Sequence, residues 1–405
     1  MGLLDLPGQL MDSAYLIEIG SLLLRWLHLI VGIAWIGSSF YFIWLDNTLK
    51  APSDPDLIAK GVGGELWAVH GGGFYNPQKY LVAPKNLPDD LHWFKWESYS
   101  TWITGFFLLG VLYYSQAATY MVDPAKAALT PGQAIGIGLA TLAGGWLVYD
   151  GLCRLLMKRS LLLFAALYFI FVVAVAYVLT HLLSGRAAFL HVGAMIATTM
   201  SGNVFFWIIP GQKKTVAAMQ RGETPDPIHG LRAKQRSVHN NYLTLPVLFC
   251  MISNHYAFTY SHPQAWAVLA AIMLAAVLIR HFFNLKHKGI LAWQYPLAGG
   301  AILLGVFIWL APARPALANA ATAPTLAEIQ PLITARCTGC HGAAPTLMPA
   351  APAGVLLDTP DAIRANGPRI LTQAVQLKAM PLGNITAMTD AERAKLAAWA
   401  AGGYR

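Results

Sequence analysis

Apolar residues fall along this chain in long blocks, not in the short alternations of strands or the narrow stripes of soluble helices. Eight blocks stand out, at about residues 16–45, 98–117, 132–153, 160–183, 188–210, 242–260, 264–284 and 290–311. Each approaches the twenty residues a helix needs to cross a hydrocarbon core roughly 30 Å thick, where a helix can satisfy its own backbone. The pattern predicts an all-α fold, a polytopic transmembrane bundle of eight spans. No basic stretch precedes the first block, which is therefore expected to stay as a span and not to be cleaved as a signal peptide.

After the eighth block the pattern changes. "APARPALANAATAPT" is rich in Ala and Pro and has no apolar stripe, so residues 312–325 read as a linker. Residues 326–405 then carry two amphipathic segments, "LAEIQPLITARCTGCHG" and "TDAERAKLAAWAAGG". In the second, Thr389 and Glu392 have capping-box spacing, and Leu396 and Trp399 fall on the inward face. A segment of about eighty residues supports only a small core, so something is expected to fill its centre. The division is a membrane domain over 1–311, a linker over 312–325 and a second domain over 326–405.

Composition supports the membrane reading. Of 405 residues 56% are hydrophobic and only 12% charged, where an ordinary soluble domain carries roughly a quarter. The net charge of +9 does not point to nucleic acid, because the basic residues lie in short segments between blocks and form no stripe. With the N-terminus outside, the inner loops hold sixteen Lys and Arg and the outer loops only two, Lys126 and Arg186. That bias obeys the positive-inside rule and puts the C-terminal domain outside as well.

That domain contains Cys337, Cys340 and His341 in "ARCTGCHG", the attachment signature of a c-type haem. His341 would take one axial position. Met380, in "LKAMPLGN", is the choice for the other, since a thioether favours reduced iron. Met348 follows His341 too closely to wrap around the ring, and Met388 falls at the start of the last helix. Structural zinc would want further Cys or His at matching spacing. Cys153 and Cys250, near or in spans, read as small packing residues.

Polar residues within spans are costly and therefore informative. Toward the outer side lie Arg25, His28, His181, His191, Asn254 and His255. Toward the inner side lie Asp46, Glu97, Asp150, the run "RSVHNNY" and the run "RHFFNLKHK". Arg280, His281 and His287 read equally well as cationic residues snorkelling at a helix end. His28, His191 and His255 share a depth and are candidates for a second haem or metal, against the plainer reading of three imidazoles bonded to neighbouring helices. In the first inner loop, "VHGGGFYNPQKY" has glycines that allow a backbone to approach a ligand closely, and "HWFKWE" sets aromatics beside charges. Such a composition suits a flat, anionic molecule.

Five motifs together, "RWLHLIVGIAWIGSSFYFIWLD", "HGGGFYNPQKY", "HWFKWESYSTW", "RSVHNNYLTLPVLFCMISNHY" and the terminal "CTGCH" with "MPLGN", resemble the bacterial membrane-bound urate oxidases. These fuse an eight-span domain to a small class I-like cytochrome c. The resemblance implies oxidation of urate to 5-hydroxyisourate in purine breakdown, in the inner membrane, with electrons passed to haem c and a respiratory acceptor instead of directly to dioxygen. By residue type and depth, Glu97 or His239 is the expected base, with Lys79, Arg236 and Asn240 as expected binding residues. A urate site on the inner side would lie too far from an outer haem for one electron step, which is the case for a second centre at His28, His191 and His255. A quinol-oxidising subunit and a transporter or anchor carrying a cytochrome are the alternatives, the latter finding slight support in Pro246.

Overall fold

The computed structural model describes residues 13–80, 82–156, 160–311, 323–348 and 350–405. It is mostly helical, with 71% helix and 4% strand, so the all-α expectation is corrected by a small strand insertion. Most of the expected linker falls outside the described residues, as do Lys158 and Arg159 of the second basic loop.

Every apolar block lies on a helix. These are α1 (Ser13–Thr48), α2 (Trp96–Leu109), α3 (Pro131–Leu156), α4 (Leu161–Leu182), α5 (Gly185–Gln220), α6 (Pro227–Ile252), α7 (Ala265–Lys286) and α8 (Gln294–Trp309). By length and composition α1, α3, α4, α5 and α7 can cross a membrane, and α8 is a shorter apolar helix. Helix α2 has 14 residues before it passes into a π turn, Gly110–Tyr114, and α6 opens on several polar turns.

Large apolar side chains point outward along much of this bundle: Trp26, Leu29 and Ile33 on α1, Leu162 and Ile170 on α4, Leu304 and Ile308 on α8. Water would penalise such a surface and lipid does not, so the interior need not be more apolar than the exterior. The interior is built from α3, α4 and α5, where Tyr149, Phe164, Tyr168, Phe189 and Met195 pack together. Helix α6 packs on α5 and α7, and α1 lies against α2, α6 and α7.

The strand insertion follows α1. Strand β1 (Val62–Glu65) pairs antiparallel with β4 (Gln78–Tyr80), and between them β2 (Ala68–His70) pairs with β3 (Gly73–Tyr75). Gly71 and Gly72, with φ of 58° and 81°, make the β2–β3 turn, a geometry that needs residues tolerant of positive φ. The glycine run thus forms the turn of a hairpin.

The C-terminal segment folds around its own core of Ile329, Ile333, Ile363, Leu396 and Trp399, on α9 (Leu326–Arg336), α10 (Asp390–Ala401) and a short helix between them. The expected capping box is present. Thr389 and Glu392 exchange bonds at the start of α10, and Thr325 and Glu328 do the same at α9. This segment touches the bundle where Ser261 donates to the Lys378 carbonyl at 3.2 Å and where the turn Leu382–Asn384 meets Ala117–Tyr120.

Candidate functional site

Two buried polar clusters flank α6, and they differ in how their charges are met. The first is centred on Asp150. Its carboxylate accepts from Arg236 Nη2 and Trp207 Nε1 on one oxygen and from Arg154 Nε on the other, each at 2.7 Å. Arg236 also donates from Nη1 to Asn203 Oδ1 at 2.9 Å, so the Asn203 amide nitrogen is left to donate to Tyr149 Oη and Asn240 Oδ1. Asn240 in turn donates to the Met200 carbonyl at 3.0 Å.

The chain of bonds ends on His239, whose Nδ1 lies 2.8 Å from Tyr149 Oη and whose ring stacks on Phe164 at 4.5 Å. The Tyr149 hydroxyl also accepts from Asn203, and the direction of its bond to Nδ1 follows the tautomer of His239. His239 Nε2 is buried with no partner among the described residues.

The second cluster lies between α6, α7 and α1. Asn241 follows His239 by two residues, about 200° around the helix, and faces the other way. Its Oδ1 accepts from Arg280 Nε at 3.0 Å and from Asn284 Nδ2 at 2.9 Å. The Arg280 guanidinium lies over the Phe40 ring, 3.8 Å from its centroid. Asn241, Arg280 and Asn284 are all buried, yet among the described residues Asn241 Nδ2, Arg280 Nη2 and Asn284 Oδ1 have no partner, nor has His287 Nδ1 at the end of α7. Among the described residues no carboxylate lies within 4.0 Å of Arg280. Beside it Tyr242 Oη meets His281 Nδ1 at 2.7 Å.

The remaining expected site residues are dispersed. Arg236 and Asn240 do share a cluster with His239, but both are committed to protein partners. Lys79, on β4, is paired with Asp46, whose other oxygen holds Lys234 at 2.9 Å. Glu97 lies 3.9 Å from His92, with Oε2 buried and unpartnered, and no hydrogen bond joins it to the Asp150 cluster. His28 meets Thr104 Oγ1 at 2.9 Å, whereas His191 Nδ1 bonds to the Ala187 carbonyl and its Nε2 faces Tyr114 Oη. His255 is exposed in a turn after α6. Among the described residues no hydrogen bond links these three histidines, expected to form a second centre. Among the described residues no three His, Cys, Asp or Glu side chains form a metal set.

In the C-terminal segment the residues that could hold a haem are Cys337, Cys340, His341 and Met380. Cys337 ends α9 and the turn Thr338–His341 follows, with the amides of Cys340 and His341 both bonded to the Cys337 carbonyl. Both thiols are free and half-buried, and burial pushes that of Cys337 up to about 11. His341 Nδ1 donates to the Val355 carbonyl at 3.1 Å, which orients the ring and leaves Nε2 as its free lone pair. Met380 is half-buried against the core and its carbonyl is held by Arg393 at 2.8 Å, whereas Met388 is buried within that core.

A family description, urate oxidase N-terminal, matches residues 14–311. The chain belongs to the urate oxidase N-terminal family. No curated protein and no solved structure matches it. Membership makes the chemistry of the chain urate-related oxidation, and the family's span covers all eight helices and both buried clusters. It ends before the Cys337–His341 turn.

Sequence reasoning noticed Asp150, Asn241, Arg280 and Asn284 but did not group them. The signal was there in part: Arg280 and Asn284 are four residues apart and therefore share a helix face.

Proposed function

We propose that this chain is a membrane-bound urate oxidase that converts urate to 5-hydroxyisourate, with electrons leaving through a covalent haem c and not directly to dioxygen. The observation that carries this reading is the family match across the entire helical bundle. The bundle is read as eight spans of a bacterial inner membrane, with the 326–405 domain on the outer face as a cytochrome c. Cys337 and Cys340 would hold the haem, with His341 and Met380 as axial ligands. When bound, the haem accepts one electron at a time and passes it to a respiratory acceptor.

The reaction sets clear demands. The urate monoanion loses two electrons and one proton to give a neutral, electrophilic ring, and water then adds across it to give 5-hydroxyisourate. The protein must neutralise the anion, take up the proton and exclude bulk water. Glu97 Oε2 and His287 Nδ1 are buried atoms able to accept a proton and not already engaged. In the Asp150 cluster the buried guanidinium of Arg236 is already committed to a carboxylate, which Arg154 shares from the exposed side.

The test is anaerobic addition of urate to the purified protein, following haem reduction and product. Urate-dependent reduction with formation of 5-hydroxyisourate is expected. Oxidation of urate only when dioxygen is present, with the haem unchanged, would sink the reading.

A further inference from the structure

We propose that Arg280, Asn241 and Asn284, with Phe40 as a lid on the guanidinium, bind the substrate anion. The inference rests on the urate oxidase reading above and adds to it a place for the substrate.

Among the described residues of the bundle two arginines are buried, and only one of them lacks a carboxylate partner. Arg236 is 3% exposed and has Asp150 at 2.7 Å. Arg280 is 6% exposed, and its partners are an amide oxygen and a ring face. A charge withdrawn from water without an opposite charge is strongly unfavourable, so such a residue is retained where something anionic completes it.

The amides around it have one consistent orientation. Arginine only donates, so Asn241 must turn its oxygen to Arg280 Nε. Asn284 must then give its NH₂ to that same oxygen. The unpartnered atoms follow: Arg280 Nη2 and Asn241 Nδ2 as donors, Asn284 Oδ1 as acceptor. A donor pair carrying positive charge beside an acceptor matches a planar anion that presents carbonyl oxygens next to ring N–H groups, as urate does. Purely hydrophobic or purely phosphate-like ligands would leave Asn284 Oδ1 unmet.

Positions 280, 284 and 287 follow the i, i+4, i+7 stripe of α7, so His287 shares the face that holds these groups. Burial, and after it Arg280 and Lys286, lower the pKa of His287, which is therefore unprotonated near neutral pH. On this side of α6 it is His287 that can accept the proton urate gives up.

The experiment measures urate affinity of the full-length protein in detergent by equilibrium dialysis, with haem content and thermal midpoint recorded for each variant. Arg280→Gln should weaken urate binding roughly 30-fold or more, as loss of one partner of a buried charge pair does. Asn284→Asp supplies Arg280 with an internal carboxylate. It should fold with a midpoint at or above that of the parent and yet lose urate binding, which separates a site effect from misfolding. Parental affinity in either variant overturns the assignment. If the parent protein itself neither binds nor oxidises urate, the functional reading fails instead.

Discussion

Arg236 Nη2 lies 2.7 Å from Asp150 Oδ1, and both residues are withdrawn from the surface of the bundle. Between them these two residues organise Asn203, Trp207, Tyr149 and, through Tyr149, the ring of His239. The pair joins α6 to α3, and its value is best measured by breaking it. Asp150→Asn should cost about 3–5 kcal/mol, because a buried guanidinium is left uncompensated. Asp150→Leu combined with Arg236→Met should cost less than the sum of the two single changes, since neither charge then remains. Thermal unfolding in detergent checks both. Strict additivity would show that the two side chains do not depend on each other.

The Cys337–His341 turn leads to a chemical prediction. Thioether bonds survive denaturation, so haem should stay with the polypeptide through acid-acetone extraction, and replacement of Cys337 and Cys340 by Ala should abolish this. Met380→Ala should leave the haem covalently attached but lower its midpoint potential, because the thioether favours the reduced iron. A covalent haem in the double Cys variant would refute the assignment.

Where the two parts of the chain meet, Gly383 has φ of 61° and sits so close to the bundle that an added Cβ would lie 2.5 Å from the Thr119 carbonyl. Gly383→Ala would cost about 1–2 kcal/mol from its φ alone and would also push the turn after Met380 away from Ala117–Tyr120. The expected outcome is slower reduction of haem by urate with unchanged urate affinity. Stopped-flow absorbance would show it. Parental rates would mean that this contact does not matter for electron delivery.

The degree to which this protein could be read from its sequence follows from how local each constraint is. A helix satisfies its backbone within itself, so the apolar blocks fall on helices, and the Thr389–Glu392 box is four residues of local chemistry. The "HGGG" hairpin was missed because a glycine run reads the same whether it serves a turn or a ligand. Partner choice is not local at all. Arg236 and Arg280 look alike in sequence, each set among amides and histidines near the inner side. They differ only because Asp150, 86 residues earlier, faces one and not the other. The histidines at common depth form no metal set among the described residues for the same reason: depth is legible along the chain, whereas rotation about the bundle axis is not.

The last prediction concerns pH. The charged groups acting on His287 are Arg280 and Lys286, and together with burial they lower its pKa below the ordinary histidine value. An imidazole whose pKa is lowered is unprotonated above that pKa and becomes charged as pH falls through it. If His287 accepts the proton from urate, turnover at saturating urate should hold steady around neutral pH and fall on the acid side, through a pKa below that of free histidine. His287→Gln should lower kcat roughly 10²-fold or more, the usual contribution of a positioned base. It should also remove the acid limb, while leaving urate affinity near that of the parent because Arg280, Asn241 and Asn284 are untouched. A pH–kcat profile of the variant with the acid limb intact would assign proton transfer to another group, and Glu97, with its buried free oxygen, would be the next to replace.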